Sequence, residues 1–228
     1  MLEIAAAWQT VYPGACLGMM VVDKVANPRY NLRLEEKKTK VVQFLQAEFG
    51  YSDLVDQCQS LQPYIRYYKR YKKNYHVLHQ LESIIYKGKQ LPCAAALVEA
   101  MFLAELKNCL LTAGHDLAAI QEPLHLGLAG GHERYTGING KEQLCKKDDM
   151  MLADKHGIIS SILGGPDART SITPCTKQAL FVVYGPVGIT PTAINNHLHD
   201  IFENIKLITA EACITFLEVY PKNLDLAL

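Results

Sequence analysis

Apolar residues recur at helical spacing through much of the first half of the chain. Between residues 34 and 49 this spacing predicts a helix that Gly50 ends. Residues 93–107 are apolar on nearly every face, which predicts a helix buried in the middle of the protein. A further helical region is predicted over residues 64–86, with a break near Asn74.

Beyond Gly114 the pattern changes to short apolar and β-branched segments separated by Gly, Asp and Asn, which is typical of strands. Thr190 and Pro191 suit an N-cap and a first helical residue, so they predict a helix that continues to Ile208. The predicted strands cover residues 15–25, 124–129, 134–138, 150–154, 158–163, 179–185 and 213–220.

This order is a helical N-terminal half that feeds a β-rich C-terminal half, without a repeat or an obvious linker. We therefore expect an α+β fold in which residues 1–228 form one domain. The composition, 49% hydrophobic and 20% charged, is that of an ordinary globular protein with a sizeable core.

Composition also bears on where the protein acts. No stretch approaches the roughly 18 consecutive apolar residues of a membrane span, and the opening residues lack the regions of a signal peptide. The seven cysteines are scattered without a Cys-x-x-Cys, which favours a reducing compartment in which all seven thiols are free. We expect a cytoplasmic protein that does not contact a membrane.

The net charge is zero but unevenly spread, since residues 1–89 carry 13 basic and 8 acidic side chains. Five tyrosines and five cations interleave over residues 64–75, and this composition suits single-stranded RNA, because cations contact phosphates and aromatic rings stack on bases. The alternative is an amphipathic helix whose tyrosines pack inward. The candidate RNA-binding residues are Arg66, Lys69, Arg70, Lys72, Lys73, Tyr67 and Tyr71.

A second candidate is the loop that follows Gly164 and Gly165. The two glycines and Pro166 predict a tight, exposed backbone, and hydrogen-bonding groups crowd the residues after it. Such a loop can hold an amino group, a carboxylate or a ribose. The alternative is a polar connection with its own internal hydrogen bonds. The candidate side chains are those of Asp167, Arg169, Thr170 and Ser171.

Two histidines lie beside acids at glycine-rich bends, His115 before Asp116 and His132 before Glu133. Each can act as a general base or line a pocket, although such pairs are also common on surfaces. His197 and His199 are two apart on a predicted helix and lack further ligands, so no metal is expected. The chain contains no phosphate-binding loop, dinucleotide motif or nucleophile elbow, and we expect no cofactor.

Four segments, in their order and spacing, resemble the B3/B4-type domain of the phenylalanyl-tRNA synthetase β subunit, and free-standing proteins of that family more closely. They are residues 97–117, 130–138, 152–165 and 172–183, within a resemblance that covers about residues 60–210. The first 60 residues are not placed by it. The chain departs from synthetase-type sequences at Pro166, where they have an acidic residue, and the stretch from there to Thr173 is about two residues longer.

The resemblance implies a β-sandwich core with flanking helices and a pocket that receives the 3′ end of tRNA. It implies catalytic roles for His115, His132 and Asp167, with water positioned by one of the histidines. The substrate-binding residues that it implies are Gly164, Gly165, Arg169, Thr170, Ser171 and Glu133. We expect Asp167, Arg169 and Thr170 at the rim of a concave site with His115 or His132.

These observations favour a tRNA-binding protein, and within that class a hydrolase of mischarged aminoacyl-tRNA. The chain has no room for a synthetase core, so a complete synthetase is not expected. One alternative is a pocket protein that binds an amino-acid-like ligand and no RNA. Another is a subunit whose pocket is vestigial and whose role is protein interaction.

Overall fold

A computed structural model describes residues 2–50, 54–89, 91 and 94–221. Within these residues the first half contains two strands and six helices: β1 (Leu2–Ile4), α1 (Ala6–Val11), β2 (Cys16–Asp23), α2 (Leu32–Phe49), α3 (Leu54–Gln57), α4 (Leu61–Arg70), α5 (His76–Ile85) and α6 (Ala96–Asn108). The described part of the second half contains nine strands and one long helix: β3 (Thr112–Asp116), β4 (Leu124–Leu128), β5 (Arg134–Thr136), β6 (Glu142–Leu144), β7 (Met150–Asp154), β8 (Gly157–Ser161), β9 (Gly165–Pro166), β10 (Gln178–Gly185), α7 (Pro191–Ile208) and β11 (Cys213–Tyr220). The predicted α+β class is confirmed.

Two sheets form the centre of the fold. One has the strand order β1-β4-β7-β8-β9 and the other the order β11-β2-β10-β3, while β5 and β6 form a separate ribbon. A buried hydrogen bond joins the sheets, since the hydroxyls of Tyr184 in β10 and Ser160 in β8 are 2.7 Å apart. The sandwich-like core that the family resemblance implies is therefore present.

Strand β2 has a central place in the second sheet, because it pairs antiparallel with β10 on one side and with β11 on the other. The first 60 residues, which the resemblance did not place, thus supply an interior strand. They also supply β1, which pairs in parallel with β4 of the other sheet. The sequence pattern had not predicted β1 or α1.

Helices α6 and α7 pack against the β2-containing sheet and against each other, whereas α1 contacts β4 of the other sheet. Helix α7 begins where the pattern predicted, since the Thr190 side chain accepts a hydrogen bond from the Ala193 N–H at 3.1 Å and Pro191 follows it. Helix α6 is buried on several sides, in agreement with its apolar sequence. Cys93, where the prediction began this helix, lies outside the described residues.

Two local predictions have different outcomes. The helical region over residues 64–86 is broken as expected, because α4 ends at Arg70 and α5 begins at His76. The segment around Gly114 is not the bend that its composition indicated but strand β3, whose residues pair with β10. Within the described residues, no helix is both long enough and apolar enough to cross a bilayer.

Candidate functional site

Helix α4 and the turn after it separate cations from tyrosines. The tyrosines at positions 64, 67 and 68 are buried, because at helical spacing they face the core, and Tyr75 in the turn before α5 is buried as well. The cations project to solvent, and we call these five residues the cation cluster. All five are exposed: Arg66, Lys69, Arg70, Lys72 and Lys73.

The buried tyrosine hydroxyls anchor α4 to the sheets. Tyr64 donates to the carbonyl oxygen of Tyr184 in β10. Tyr67 donates to Asp149 Oδ1 at 2.7 Å, and Tyr68 donates to the carbonyl oxygen of Ile162 at 2.7 Å. These side chains therefore fit the alternative interpretation, an amphipathic helix whose tyrosines pack inward. Tyr67 is only 3% exposed, so its predicted contact with RNA does not fit this structure.

Tyr71 differs from its neighbours because it is half-buried. Its hydroxyl lies 3.0 Å from that of Tyr12, and the guanidinium of Arg70 lies over the Tyr12 ring at 5.0 Å from the centroid. Of the two tyrosines predicted to contact RNA, Tyr71 is the one that is partly exposed to solvent.

The cation cluster borders a small cleft beside the predicted glycine loop. Lys73 Nζ donates to the carbonyl oxygen of Leu163 at 3.3 Å, which brings the end of the cluster next to Gly164. Gly164, Tyr135, Ser161 and Asp149 are among the residues that line the cleft. Its volume is about 10 Å³, which is about the room that one water molecule needs.

Asp149 is the buried charge of this cleft. Burial raises its pKa to about 6, against the effect of hydrogen bonds from Tyr67 and Ser161. The Leu163 N–H also donates to it, at 3.3 Å. The sequence did not reveal this residue, because it ends the charged run of residues 146–149, which is typical of a solvated turn.

Gly164 and Gly165 each occupy a position that favours glycine, for different structural reasons. Gly165 has a φ of +73°, a left-handed conformation that favours glycine. Gly164 lies so close to the Tyr135 hydroxyl that a Cβ there would overlap it. That hydroxyl donates to the Gly165 carbonyl oxygen at 2.7 Å and holds the turn against β5.

Beyond the glycines, the loop folds over His115 of β3. Asp167 accepts hydrogen bonds from the Thr170 hydroxyl and, at 3.1 Å, from the Thr170 N–H. The Thr170 hydroxyl oxygen lies 2.7 Å from His115 Nδ1, so a carboxylate, a hydroxyl and an imidazole form a buried chain. If the Thr170 proton points to Asp167, His115 is protonated on Nδ1 and presents Nε2 as an acceptor.

His115 is fully buried, and burial lowers its pKa to about 3, so its imidazole is neutral at ordinary pH. Its Nε2 has no hydrogen-bond partner among the described residues. The structure thus brings together three of the predicted site residues, and in this conformation they are enclosed. Their roles toward a substrate stay a prediction.

The other loop residues make internal contacts. Arg169 forms a two-pronged pair with Asp154, at 2.8 and 3.0 Å, and lies 3.7 Å from Asp167. Ser171 donates to the carbonyl oxygen of Ala168 at 2.9 Å. These bonds fit the alternative interpretation, a polar loop that is held by internal hydrogen bonds. Arg169 nevertheless remains partly exposed.

The second histidine–acid pair has a local structural role. The Glu133 carboxylate accepts the N–H groups of Gly130, Gly131 and His132 at 2.8 to 3.2 Å, and so it closes the glycine bend. His132 itself is exposed. No three metal-ligand side chains gather at one place among the described residues.

Comparisons with known proteins agree with this architecture. A family model described as the B3/4 domain matches residues 62–202. No curated protein matches the chain. Among solved structures, an N-terminal fragment of the phenylalanyl-tRNA synthetase beta-subunit from Pyrococcus horikoshii is similar, with a TM-score of 0.50 and 11% identity. The match covers 97% of this chain and 54% of the other, so the chain spans about half the length of that fragment.

Proposed function

The chain belongs to the B3/4 domain family, and from this premise we propose that it binds tRNA through the cation cluster. One observation carries the proposal: Lys73, at the end of the cluster, lies directly beside the cleft under Gly164, at 3.3 Å from the Leu163 carbonyl oxygen. A tRNA strand whose phosphates bind the cation cluster would therefore have one end close to that cleft. The name of the fold neighbour, a phenylalanyl-tRNA synthetase subunit, supports tRNA as the nucleic acid.

Electrostatics supports the cluster as the site of phosphate binding. Its five cations are exposed, and within the described residues none of them has a carboxylate within 4 Å. Exposed cations that are not neutralised locally release counterions when they bind phosphate, which gives affinity that falls with added salt. Tyr71 can add one aromatic contact at the edge of the cluster.

The finer proposal is hydrolysis of a mischarged aminoacyl ester at the cleft. An aminoacyl ester is already activated, so the protein need only position a water and stabilise the developing oxyanion. The cleft has room for that water, and Asp149 can take up a proton near neutral pH. The aminoacyl group itself needs more space than the cleft offers, so the turn at Gly164 must open for it.

The proposed catalytic residues His115 and Asp167 are buried and are not among the residues that line the cleft, so they would reach a substrate only if the loop that covers His115 also opens. Their hydrogen-bonded chain through Thr170 fixes the imidazole orientation in advance. Arg169 would remain at the rim, where its guanidinium is partly exposed.

A separate cavity favours a second candidate, binding of an amino-acid-like molecule. Its volume is about 540 Å³, within the range of small-molecule sites, and its walls come from α2 and from the segment that contains Lys89. Lys38 and Glu35 line it, and they form an ion pair with each other at 2.8 Å, so a zwitterion would bind by replacing each partner of that pair. Such binding should depend little on salt.

The test is tRNA binding by a triple variant in which Lys69, Arg70 and Lys73 become alanine. We expect weaker binding and a salt slope flatter by about one unit for each phosphate that the variant no longer binds. The matched control removes Arg33, Lys40 and Lys177, which are also exposed, and should leave binding almost unchanged. Both variants should unfold at nearly the temperature of the parent, because exposed charges contribute little to stability.

Three outcomes are informative. If the parent does not bind tRNA, or if the two triple variants lose affinity equally, the cation cluster is not the interface. If the parent binds an amino acid with little salt dependence and no tRNA, the second candidate holds. Release of the amino acid from misacylated tRNA, measured on the same proteins, separates binding from hydrolysis.

A further inference from the structure

A groove between α4 and α5 includes two members of the cation cluster. Gln62, Ile65 and Lys69 follow each other at helical spacing on one face of α4, and all three line the groove. Helix α5 contributes Leu78. The volume of the groove is about 300 Å³, at the lower end of the range for small-molecule sites. It is therefore large enough for a single nucleobase.

The deepest residues of the groove present apolar surface and are fixed in place. Ile65 and Leu78 are half-buried, and Tyr75 is buried. The ring of Tyr75 stacks on that of Tyr64, with the ring centroids 4.7 Å apart, and its hydroxyl donates to the Cys109 carbonyl oxygen at 3.3 Å. The faces of a nucleobase can pack on such a surface while the polar edge of the base stays at the rim.

Two amide side chains lie at the rim of the groove. They belong to Gln62 and Asn74, and both residues are exposed. An amide carries a hydrogen-bond donor and an acceptor side by side, which is a pattern that base edges also present. Proteins that recognise single-stranded RNA bind the edges of unstacked bases in this way. The rim can therefore bind the edge of a base whose faces pack in the groove.

The charges of the groove match a phosphate. Lys69 and Lys73 line it, and none of the described residues in its wall is acidic. His79 also lines it, but its Nδ1 lies 3.2 Å from Glu82 Oε2, so the two lysines are the cations that remain for a phosphate. An amino acid would bring its ammonium group to a wall without a carboxylate, whereas a nucleotide brings only negative charge. The groove therefore favours a nucleotide.

We propose that this groove binds one unpaired nucleotide of the bound tRNA, with the base between α4 and α5 and the phosphate on Lys69 and Lys73. Lys73 also lines the cleft beside Gly164, so the groove and the cleft meet at one side chain. A strand whose end reaches the cleft would thus place a nearby nucleotide at the groove. The inference rests on the proposed binding of tRNA, and it adds a site for a base to a surface that binds phosphates.

The experiment measures the binding of tRNAs in which one unpaired nucleotide of the 3′ end at a time lacks its base and keeps its phosphate. The parent should lose roughly tenfold in affinity at one position, because the packing and edge contacts of that base are lost. The double variant Gln62→Ala with Asn74→Ala should bind intact tRNA more weakly than the parent, and it should lose less than the parent when the same base is removed. Its salt slope should equal that of the parent, since the phosphate contacts remain.

The matched control replaces Gln9 and Asn196, two exposed residues with amide side chains outside the groove, by alanine and should behave as the parent does. Circular dichroism checks that every variant is folded. Suppose that the parent binds tRNA through the cation cluster, but that no single base matters or that its removal weakens the parent and the double variant equally. The groove then binds no base, and tRNA binding by the cation cluster stands. If the parent binds no tRNA at all, both proposals are wrong.

Discussion

Three buried titratable side chains outside the cleft make the stability of this protein depend on pH. Burial raises the pKa of Glu105 from an ordinary 4.5 to about 8, although the Thr112 N–H donates to it at 2.7 Å. Burial also lowers the pKa of His115 and of His197 from 6.5 to about 3. The folded protein thus favours the neutral form of all three.

The signs of these effects are opposite. A carboxyl whose pKa is raised on folding contributes stability that is present below 4.5 and is lost as the pH rises toward 8. A histidine whose pKa is lowered contributes stability that is present above 6.5 and is lost as the pH falls toward 3. Between pH 4.5 and 6.5 both effects act, and the stability that the two histidines gain as the pH rises exceeds the stability that the one carboxyl loses. The combined contribution of these three groups should therefore be greatest near pH 6.5.

Glu105→Gln isolates the carboxyl, because glutamine keeps an oxygen for the Thr112 N–H. Relative to the variant, the parent should lose about 3 kcal/mol of unfolding free energy between pH 4.5 and 7. Urea unfolding at several pH values measures this difference, in which the histidine effects cancel. Glu203→Gln, at an exposed position, should follow the parent at every pH. A constant offset between Glu105→Gln and the parent would contradict the buried-acid explanation.

At the scale of residues, the sequence predicts which side chains face solvent better than it predicts their partners. The spacing of residues 64–75 correctly exposes the cations, because one helix face must be apolar enough to pack. The tyrosine hydroxyls donate to Tyr184, Asp149 and Ile162, which lie 120, 82 and 94 residues further along the chain. Local pattern carries no information about such distant partners.

At the scale of elements, α7 lies unusually close to the sheet. Ile194 of α7 packs where β2 has Gly18 and β10 has Gly185, so the helix meets backbone rather than side chains. A Cβ on Gly18 would overlap Ile194 Cγ2, and one on Gly185 would lie 2.8 Å from Ile194 Cδ1. The two glycines thus leave the space into which the Ile194 side chain packs.

Gly18→Ala should therefore lower the unfolding free energy by about 1–3 kcal/mol, the usual effect of overfilling a packed core. Adding Ile194→Ala to it should cost less than the sum of the two single changes, since the second removes the overlap. Chemical denaturation of the four proteins gives this coupling. Gly127→Ala is the control, because its Cβ would meet Ala5 Cβ at an ordinary 3.8 Å. Strict additivity would mean that α7 shifts to accommodate the methyl group.

Most elements were predictable from periodicity and caps, and β3 shows where that method fails. Its residues, Thr-Ala-Gly-His-Asp, include one β-branched side chain and a glycine, which locally favour a turn. A Cβ at this glycine would lie 2.8 Å from Ile172 Cδ1 and 3.1 Å from Met101 Sδ, so a larger residue there would force these two side chains to move. Tertiary packing overrides local preference at that position, and for the same reason the strand order could not be read from the pattern.

At the scale of the whole molecule, the family-matched segment does not contain all of the central sheet. Residues 62–202 include β10 and β3 but lack β2 and β11, which complete the four-stranded sheet. Ile194 of α7 packs on Gly18 of β2 and on Gly185 of β10, so that segment alone would keep only the Gly185 side of this contact.

We expect a fragment of residues 62–202 to show no cooperative unfolding in urea, whereas the full chain unfolds in a single transition. The reason is that two of four strands and their share of the core are missing. Circular dichroism and tryptophan-independent probes such as tyrosine fluorescence can follow both proteins. A fragment that unfolds cooperatively would show that residues 1–61 are a separate addition, against the prediction of one domain.

The tyrosine anchors beneath α4 also have a consequence for recognition. Because Tyr64, Tyr67 and Tyr68 fasten three positions of the helix to the sheets, its backbone is already ordered before any partner arrives. The cation cluster therefore lies on a pre-organised helix. Because the backbone of this helix is already ordered, binding does not cost the conformational entropy of ordering it. Only the flexible cationic side chains have to be immobilised, so a partner of matching shape would meet a surface whose geometry is set by the core.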